Sequence, residues 1–493
     1  MRQYKYIILI TGLIVTSSCS KILDKDPDNR TEINTIEKVA QLVGTAYPTY
    51  GYMGMAETVS DNACDKGPNA TNVHNNIPFP ELYAWEDVQS DGNNTPAQYW
   101  NGVYEGIAAA NQALESIEEN NLGNGANPYK GEALLARAYG HFMLVTFFAK
   151  AYVPGGDNSS PGIPYVTTPE TQAIRTYTRG SVDSVYQLIE KDIEDGIPLL
   201  TGGTWAVPKF HFTPAAAHAF AARFYLFKGE WQKVINHANQ IFLNGDFTGN
   251  IRNIYAETPP LSGDQYTSWW NSSDNKANLL IHETYSVYQR GSSYGLSRYG
   301  FGSGVYSNYY IKSNPTGGTF YYKGFTYAKE SYTLNKYYEY FYITNATAGT
   351  GLPYIMLPLL TSDEALMNRA EAYARLGQLN SAIADCNLFA STRIANYSST
   401  THAVTIAKSK TFFGVTDDTQ AILSTILDFK KRGFMMEGLR WFDILRNRLT
   451  VDHWYLDQNS DTTHTYLTAD DNRRMFQIPN SAITIGGLEP NPR

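Results

Sequence analysis

Cysteine is scarce in this sequence of 493 residues, which contains only three. One of them, Cys19, lies in the N-terminal segment, so Cys64 and Cys386 are the two in the rest of the chain. Two cysteines are too few for a disulfide framework in a chain of this length, and we expect unpaired thiols. No group of Cys and His residues has the spacing of a metal site, so we expect no metal and no other cofactor.

Clustered positive charge is missing as well. The chain has 39 Lys and Arg residues against 47 Asp and Glu residues, so its formal net charge is −8. Affinity for nucleic acid comes mainly from clustered cations, and the sequence therefore argues against a nucleic-acid partner. Beyond the N-terminal segment, no apolar run approaches the about 18 residues that a membrane-spanning helix requires.

Two motifs of common catalytic sites are also missing. The sequence contains no H-E-x-x-H motif and no glycine-rich phosphate loop that ends in lysine. Glu437, Arg440, Asp443 and Arg446 are spaced by three, which predicts ion pairs along one helix rather than catalytic groups. We therefore expect that the protein is not an enzyme. A helical glycoside hydrolase stays open as a less favoured alternative, because its two carboxylates come from distant segments.

Aromatic residues, in contrast, are abundant. They make up 14% of the chain, and 37 tyrosines outnumber the 22 phenylalanines and 8 tryptophans together. Thirteen of the tyrosines lie between Tyr294 and Tyr342. Tyrosine combines an apolar ring with a hydroxyl group that remains hydrated, which suits surfaces between core and solvent. The composition therefore predicts an aromatic surface that contacts another molecule.

The N-terminal segment has the pattern of a secretory signal. Basic residues Arg2 and Lys5 precede a short apolar stretch, and small residues then lead to Cys19. This order is similar to a bacterial lipobox and predicts a signal peptide over 1–18 with lipidation of Cys19. The polar residues 19–36 would form a tether, and acyl chains on Cys19 would hold the protein at a membrane.

Helical spacing of apolar residues dominates most of the remaining chain. It predicts helices over about 97–150, 180–243 and 363–448. Residues 214–243 and 363–392 each read as two antiparallel helices separated by a glycine, which resembles tetratricopeptide units. We therefore predict a mostly α-helical fold with a scaffold of tetratricopeptide-like helix pairs.

Two segments lack this periodicity. Residues 51–96 and 244–360 are rich in Gly, Asn and Ser, and the second is also rich in Tyr. Ordered loops on a rigid scaffold are where binding residues tend to lie. We therefore predict that these two segments, the second a long irregular insertion rich in Tyr and Trp, form the ligand-binding part.

Seven segments in series resemble the SusD/RagB family of outer-membrane nutrient-binding lipoproteins of Bacteroidetes. The resemblance extends from Cys19 to the C-terminal tail, with the segments in the family's order. They are CSKILDKDP, ETVSDNA, YWNGVYEGIAAANQALESI, GEALLARAYGHFMLVTFFAKAYVP, LMNRAEAYARLGQLNSAIADCN, GFMMEGLRWFDILRNR and FQIPNSAI.

The resemblance implies a single SusD-like domain over 37–493 and a function in nutrient uptake. Such a protein would be lipid-anchored in the outer membrane and exposed at the cell surface. It would bind oligosaccharides without catalysis, as in starch and polysaccharide utilisation, and deliver them to a SusC-like TonB-dependent transporter. A surface oligopeptide receptor of the RagB type is the alternative that the same resemblance leaves open.

Candidate ligand-binding residues follow from the chemistry of sugars. Sugar rings stack on aromatic side chains, and their hydroxyl groups need fixed polar partners. Burial beneath a loop is the alternative for each tryptophan, and Trp100 and Trp441 lie in helical patterns that predict packing. Tyrosines between 306 and 342 are expected to divide between packing and a partner interface. The candidates in the two loop-rich segments are Asp61, Trp85, Trp269, Trp270, Tyr288, Tyr294, Arg298 and Tyr299.

Overall fold

Amphipathic segments with helical spacing form most of the secondary structure of this chain. The computed structural model describes residues 32–71, 73, 75, 78–170, 175–290, 295–328 and 330–493. The predicted signal peptide 1–18, the predicted lipidation site Cys19 and most of the predicted tether 19–36 lie outside the described residues. About 47% of the chain is helical, which confirms the predicted mostly α-helical fold.

The helices are distributed along the whole described chain. Among the residues that the structure describes, none of them combines the length and apolar character needed to cross a membrane. In chain order they are α1 (Ile36–Val43), α2 (Met53–Thr58), α3 (Phe79–Tyr83), α4 (Pro96–Glu119), α5 (Asn127–Phe148), α6 (Val182–Leu199), α7 (Pro214–Lys228), α8 (Trp231–Ile241), α9 (Ile254–Glu257), α10 (Gly263–Asn271), α11 (Ser303–Tyr306), α12 (Ser362–Arg375), α13 (Leu379–Ser391), α14 (Ile406–Phe413), α15 (Asp418–Gly433), α16 (Leu439–Arg446) and α17 (Asn480–Thr484).

The two predicted helix pairs are α7 with α8 and α12 with α13. Thr213 caps α7, since its hydroxyl accepts a hydrogen bond from the Ala216 amide at 3.4 Å, and Pro214 occupies the first turn. Gly229 ends this helix with φ of 74°, a left-handed conformation that favours glycine. In the second pair Thr361 caps α12, because its hydroxyl accepts a hydrogen bond from the Glu364 amide at 3.3 Å.

The core lies between the helices and is rich in aromatic rings. Helix α5 is central, because every residue from Gly131 to Phe148 is buried. It packs against α4 and α6. Phe142 contacts Phe220 and Phe227 edge-on, with ring centroids 5.7 and 5.0 Å apart. Rings of this size each remove about 150–250 Å² from water, so this cluster provides much of the stability of the scaffold.

The middle of the chain contains short strands as well as loops. Strands β2, β7 and β6 form an antiparallel sheet with β7 in the centre, and β7 leads directly into α12. Strands β8 and β9 form a hairpin near the C-terminal end. In chain order the strands are β1 (Cys64–Asp65), β2 (Asn278–Tyr285), β3 (Tyr299–Gly300), β4 (Phe325–Ala328), β5 (Ser331–Thr333), β6 (Glu339–Asn345), β7 (Thr350–Thr361), β8 (Val451–Leu456) and β9 (Thr462–Leu467).

The charged residues at spacing three near the C-terminal end do not form one row along a helix. Only Asp443 and Arg446 pair within α16, at 2.7 Å. The other contacts link separate segments: Glu437 with Lys336 at 2.6 Å, Arg440 with Asp61 at 2.7 Å and Arg446 with Glu371 at 2.8 Å. These ion pairs therefore hold the end of the chain to the loops and to the second helix pair.

Candidate functional site

Helix α10 carries the adjacent pair Trp269 and Trp270. A reciprocal capping box begins the helix: the Ser262 hydroxyl accepts a hydrogen bond from the Gln265 amide at 3.3 Å. The Gln265 side chain in turn accepts one from the Ser262 amide at 2.9 Å. This arrangement satisfies two amides that lack helical partners and fixes a helix of only nine residues. Adjacent side chains on a helix point in different directions, so the two tryptophans face different sides of α10.

Trp269 is partly exposed and lines a cavity of about 550 Å³. We call this the Trp269 cavity. Its indole nitrogen donates a hydrogen bond to Glu257 at 3.0 Å, and Tyr266 stacks near it with ring centroids 6.1 Å apart. These contacts hold the ring in one orientation. The other residues that line the cavity are Gly249, Ile251, Arg252, Ser268, Ser272, Asp274, Asn275 and Lys276.

The polar groups of the Trp269 cavity come from the turn that follows α10. The side chain of Asn275 donates a hydrogen bond to the Trp269 carbonyl at 3.1 Å, which fixes this turn to the helix. Asp274 and Lys276 are exposed beside it. The cavity therefore combines one fixed aromatic ring with carboxylate, amide and ammonium groups, which are the partners that sugar hydroxyl groups require.

Trp270 lies inside the protein, with 3% of its surface exposed. Arg252 and Lys336 lie over the ring at 4.0 and 4.3 Å from its centre. Both cations are buried and interact with the electron-rich ring faces. Trp270 therefore anchors α10 to the protein interior and does not present a ring face to a ligand.

The carboxylate of Asp61 is engaged with cations. It accepts two hydrogen bonds from Arg440, at 2.7 and 2.9 Å, and Lys431 lies 3.8 Å away. Burial alone would raise the pKa of Asp61, but the two positive charges hold it well below its usual range. Asp61 is therefore ionised, and its charge is compensated by the protein.

Trp85 is buried and belongs to a column of four stacked rings. Its indole nitrogen donates to the Val59 carbonyl at 2.9 Å. The column runs from Trp85 to His453 at 4.3 Å, from His453 to Tyr83 at 3.9 Å and from Tyr83 to Tyr299 at 4.5 Å. The column joins the loop-rich segment 51–96 to β3 and β8.

The remaining surface of Trp85 contributes to a second cleft of about 690 Å³. We call it the C-terminal cleft, because one wall is the loop 85–91 with the start of α4 and the other is the segment 473–493. Polar side chains dominate the loop wall, including Asp87 and Gln89, and apolar side chains such as Ile483 and Ile485 lie opposite. Only 4% of Trp85 is exposed, because His453 stacks on its ring and the Arg473 guanidinium lies 5.8 Å from the ring centre.

The other candidates are placed as follows. Tyr288 and Tyr299 are buried, with 1% and 8% exposed. Arg298 is partly exposed and forms two hydrogen bonds of 2.7 Å with Asp65, which raise the pKa of its guanidinium group. Tyr294 lies outside the described residues. Of the predicted aromatic residues that the structure describes, Trp269 alone is partly exposed.

The predicted residues gather in two places. Trp85, Asp61, Arg298 and Tyr299 lie around the ring column and its neighbours, whereas Trp269 and Trp270 lie around α10 and Arg252. The sequence analysis did not select the polar residues of the Trp269 cavity. A signal was present, because the polar residues NSSDNK follow directly after the tryptophan pair and are typical of a turn.

A cluster of partly exposed tyrosines was also not selected. Tyr306 stacks on Tyr332 with ring centroids 4.6 Å apart and planes at 8°, and Tyr322 meets Tyr306 at 5.4 Å. These rings come from α11, β5 and the loop before β4, so their contact depends on the fold. No local sequence pattern distinguishes them from the other tyrosines of the insertion.

The carboxyl group whose pKa is raised to about 7, Glu57, has no access to a substrate. Burial causes the shift, because the side chain is fully enclosed. It accepts hydrogen bonds from the Gly438 amide at 2.6 Å and from Asn62 at 2.7 Å. Among the described residues, no group of three or more His, Cys, Asp or Glu side chains could hold a metal ion.

Comparison with known proteins finds a match to one family over part of the chain and a similarity to one fold over most of it. Residues 21–226 match the SusD-like_3 family, described as starch-binding and associating with the outer membrane. No match was found among curated proteins.

Solved structures of SusD-like proteins share the fold over nearly the whole chain. A SusD superfamily protein from Bacteroides thetaiotaomicron has a TM-score of 0.65 and 20% identity, covering 93% of this chain and 100% of its own. A SusD-like carbohydrate binding protein from Bacteroides vulgatus has a TM-score of 0.64 and 16% identity, covering 92% and 97%. The resemblance that the sequence motifs indicate, and the tetratricopeptide-like helical fold it implies, are thereby confirmed.

Proposed function

Because this chain has the fold of SusD superfamily proteins and matches the SusD-like family over its N-terminal part, we propose that it binds oligosaccharides without catalysis. The observation that carries the proposal is Trp269, an aromatic ring held by Glu257 beside a cavity with polar walls. A sugar presents C–H groups to a ring and hydroxyl groups to the surrounding polar atoms, so this arrangement matches its chemistry.

The proposed ligand contacts differ from those first expected. Trp270, Trp85, Tyr288 and Tyr299 have their rings inside the protein, so we assign them to supporting the loops. Trp269 would provide the stacking surface, and Asp274, Asn275 and Lys276 would provide polar contacts. The C-terminal cleft is larger, but only 4% of Trp85, the aromatic candidate that lines it, is exposed.

We further propose that the protein acts at the cell surface as a lipid-anchored protein of the outer membrane. The described chain begins at Glu32, and the Asn120 side chain at the end of α4 donates to the Ile33 carbonyl at 3.2 Å. Residues between Cys19 and this point could span at most about 45 Å when extended. The tether would therefore leave the protein near the C-terminal end of α4.

Delivery to a SusC-like TonB-dependent transporter completes the proposed function. A binding protein that releases its ligand unchanged needs a second protein to carry that ligand across the membrane. The transporter is a proposal from the family resemblance, and it would take over the ligand from the lipid-anchored protein at the membrane surface. Co-purification of the natively expressed, lipidated protein with an outer-membrane β-barrel protein would test it.

Isothermal titration with a panel of oligosaccharides and a peptide mixture tests the ligand class. We expect heat of binding with at least one glycan, with the affinity lowered in Trp269→Ala and unchanged in Trp231→Ala. Trp231 is a matched control, because it is also a partly exposed tryptophan but lies on α8 away from the cavity. A response to peptides alone would instead support an oligopeptide receptor.

The glycoside hydrolase alternative is tested separately. Purified protein is incubated with polysaccharides, and new reducing ends are measured over time. We expect none above the blank. Turnover that persists through further purification would contradict the binding function and would require an accessible pair of carboxylates, which Glu57 does not provide.

A further inference from the structure

The hairpin formed by β6 and β7 exposes an unusual concentration of large apolar side chains. We call residues 338–352 the β6–β7 hairpin. Exposed apolar side chains elsewhere in the described residues are scattered, whereas five lie in this short segment, and Tyr342 and Ile343 are 61% and 57% exposed. The five are Tyr338, Phe341, Tyr342, Ile343 and Leu352. Exposed clusters of this kind mark interaction surfaces.

The hairpin also has a free strand edge. In the sheet order β2-β7-β6, strand β6 pairs with β7 on one side, and no strand among the described residues pairs with its outer side. Both faces of β6 are exposed from Phe341 to Asn345. A free edge presents unpaired amide and carbonyl groups that another strand can bind.

Strand β6 has few of the features that usually protect such an edge, and its register shift against β7 is confined to the end of the strand, between Ile343 and Asn345. It contains no lysine and no proline. Its one charged residue, Glu339, forms two hydrogen bonds with Arg290, at 2.6 and 2.7 Å, so this charge is neutralised within the chain. The rest of the strand is aromatic, β-branched or amide, a composition that favours strand pairing.

We propose that a second copy of this chain covers the edge, with the two β6 strands antiparallel about a two-fold axis. Symmetric contacts bring each surface against itself, so they require a patch without net charge. The whole chain carries a net charge of −8, which opposes the approach of a second copy through a negatively charged face. The β6 edge is uncharged overall and is therefore compatible with itself.

The size of the surface sets the strength of this contact. Taking about 200 Å² for a fully exposed ring, the three exposed aromatic rings offer roughly 300 Å² in each copy. With the aliphatic side chains and the strand backbone included, a dimer would bury on the order of 1,000 Å² in total, the lower limit of specific interfaces. We therefore expect a weak, reversible dimer with a micromolar dissociation constant.

Sedimentation velocity of the full mature chain, across a concentration series in the micromolar range, tests the proposal. Wild-type protein should shift from monomer to dimer as concentration rises. Ile343→Lys places a cation on the strand edge and should remain monomeric throughout. Leu243→Lys is the control, because Leu243 is 86% exposed and lies outside the hairpin, and it should dimerise as the wild type does.

A second variant tests whether loss of the dimer in Ile343→Lys comes from local misfolding of the hairpin. Thr344→Lys lies on the same exposed strand and should also abolish the dimer. All variants should retain the wild-type circular dichroism spectrum and Tm, because these side chains are exposed. A wild-type protein that stays monomeric over the whole series overturns the proposal. So does a dimer that survives both hairpin lysines.

Discussion

Replacing Trp269 and Trp270 one at a time separates ligand contact from packing. Trp270 is buried, and the cations of Arg252 and Lys336 lie over its ring. Trp270→Ala therefore opens a cavity and removes the cation–π contact of both buried cations. Loss of a buried tryptophan costs about 3–5 kcal/mol of unfolding free energy. Trp269 is partly exposed at the rim of a cavity, so Trp269→Ala should cost much less stability.

For ligand affinity, in contrast, we expect the larger loss from Trp269→Ala. Stacking of a nucleic-acid base on an aromatic side chain is worth about 1–3 kcal/mol, and we take the same order for a sugar ring. Trp269→Ala should therefore weaken glycan binding by about 5- to 150-fold. Trp270→Ala should affect binding only to the extent that α10 is displaced.

Two measurements on each variant give the comparison. Thermal unfolding reports stability, and isothermal titration with the glycan that binds the wild type reports affinity. We expect a clear fall in Tm for Trp270→Ala with a small change in affinity, and a small change in Tm for Trp269→Ala with a large loss of affinity. Trp231→Ala should leave affinity unchanged.

The reasoning fails if Trp269→Ala folds and binds as the wild type does. The Trp269 cavity would then not be the binding site, although the protein could still bind a glycan in the C-terminal cleft. Asp87→Asn would next test that cleft, because Asp87 lies on its wall and pairs with Arg493 at 2.6 Å. Loss of stability in Trp269→Ala as large as in Trp270→Ala would mean that both rings are core.

Three further predictions concern stability. Burial raises the pKa of Glu57 to about 7 from its ordinary value of 4.5, so its contribution is present below about pH 4.5 and is lost as pH rises towards 7. Glu57→Gln should flatten the pH dependence of the unfolding free energy in this window, measured by denaturant unfolding. Glu364→Gln leaves the buried Arg223 without its ionic partner and should cost about 3–5 kcal/mol in the same assay, whereas Lys130→Gln, at an exposed pair, should cost little. Gly438→Ala should lower the Tm, because Gly438 has φ of 76° and an added methyl group would lie 2.7 Å from Tyr52; Gly249→Ala, also left-handed but in open space, should lower it less.

The helical scaffold could be predicted because its signals are local. Pro214 and Gly229 lie at the ends of one helix, and their roles depend only on neighbouring residues. The strands of the insertion were harder to predict. Strand β7 is a run of twelve mostly apolar residues, and its assignment depends on pairing with β2, which precedes it by more than sixty residues. Periodicity within one segment carries no information about such a partner.

The candidate site could be predicted in part. The sequence identified the tryptophan pair and the loop-rich segment around it. It could not show which of two adjacent rings faces solvent, because that depends on the direction from which Arg252 and Lys336 approach α10. The same reason applies to Trp85, whose partner His453 comes from a strand near the other end of the chain.

The abundance of tyrosine has a structural cause. Loops leave carbonyl groups without the regular partners that helices and sheets supply, and a buried carbonyl without a partner is costly. Tyrosine hydroxyls fill this role repeatedly here. Tyr83 donates to Trp454 at 2.8 Å, and Tyr309 donates to Asp61 at 2.9 Å. Each ring thus packs against apolar neighbours while its hydroxyl satisfies a loop carbonyl.

This dual use explains why the tyrosine-rich insertion is ordered without long helices. Tyr310 donates to the carbonyl of Arg432 at 2.9 Å, and Tyr337 donates to that of Met436 at 3.1 Å. The first bond attaches the insertion to the end of α15, and the second attaches it to the segment between α15 and α16. Phenylalanine at these positions would keep the ring packing and leave a buried carbonyl unpaired. The tyrosines therefore stabilise irregular backbone, whereas we propose that the partly exposed ring of Trp269 contacts the ligand.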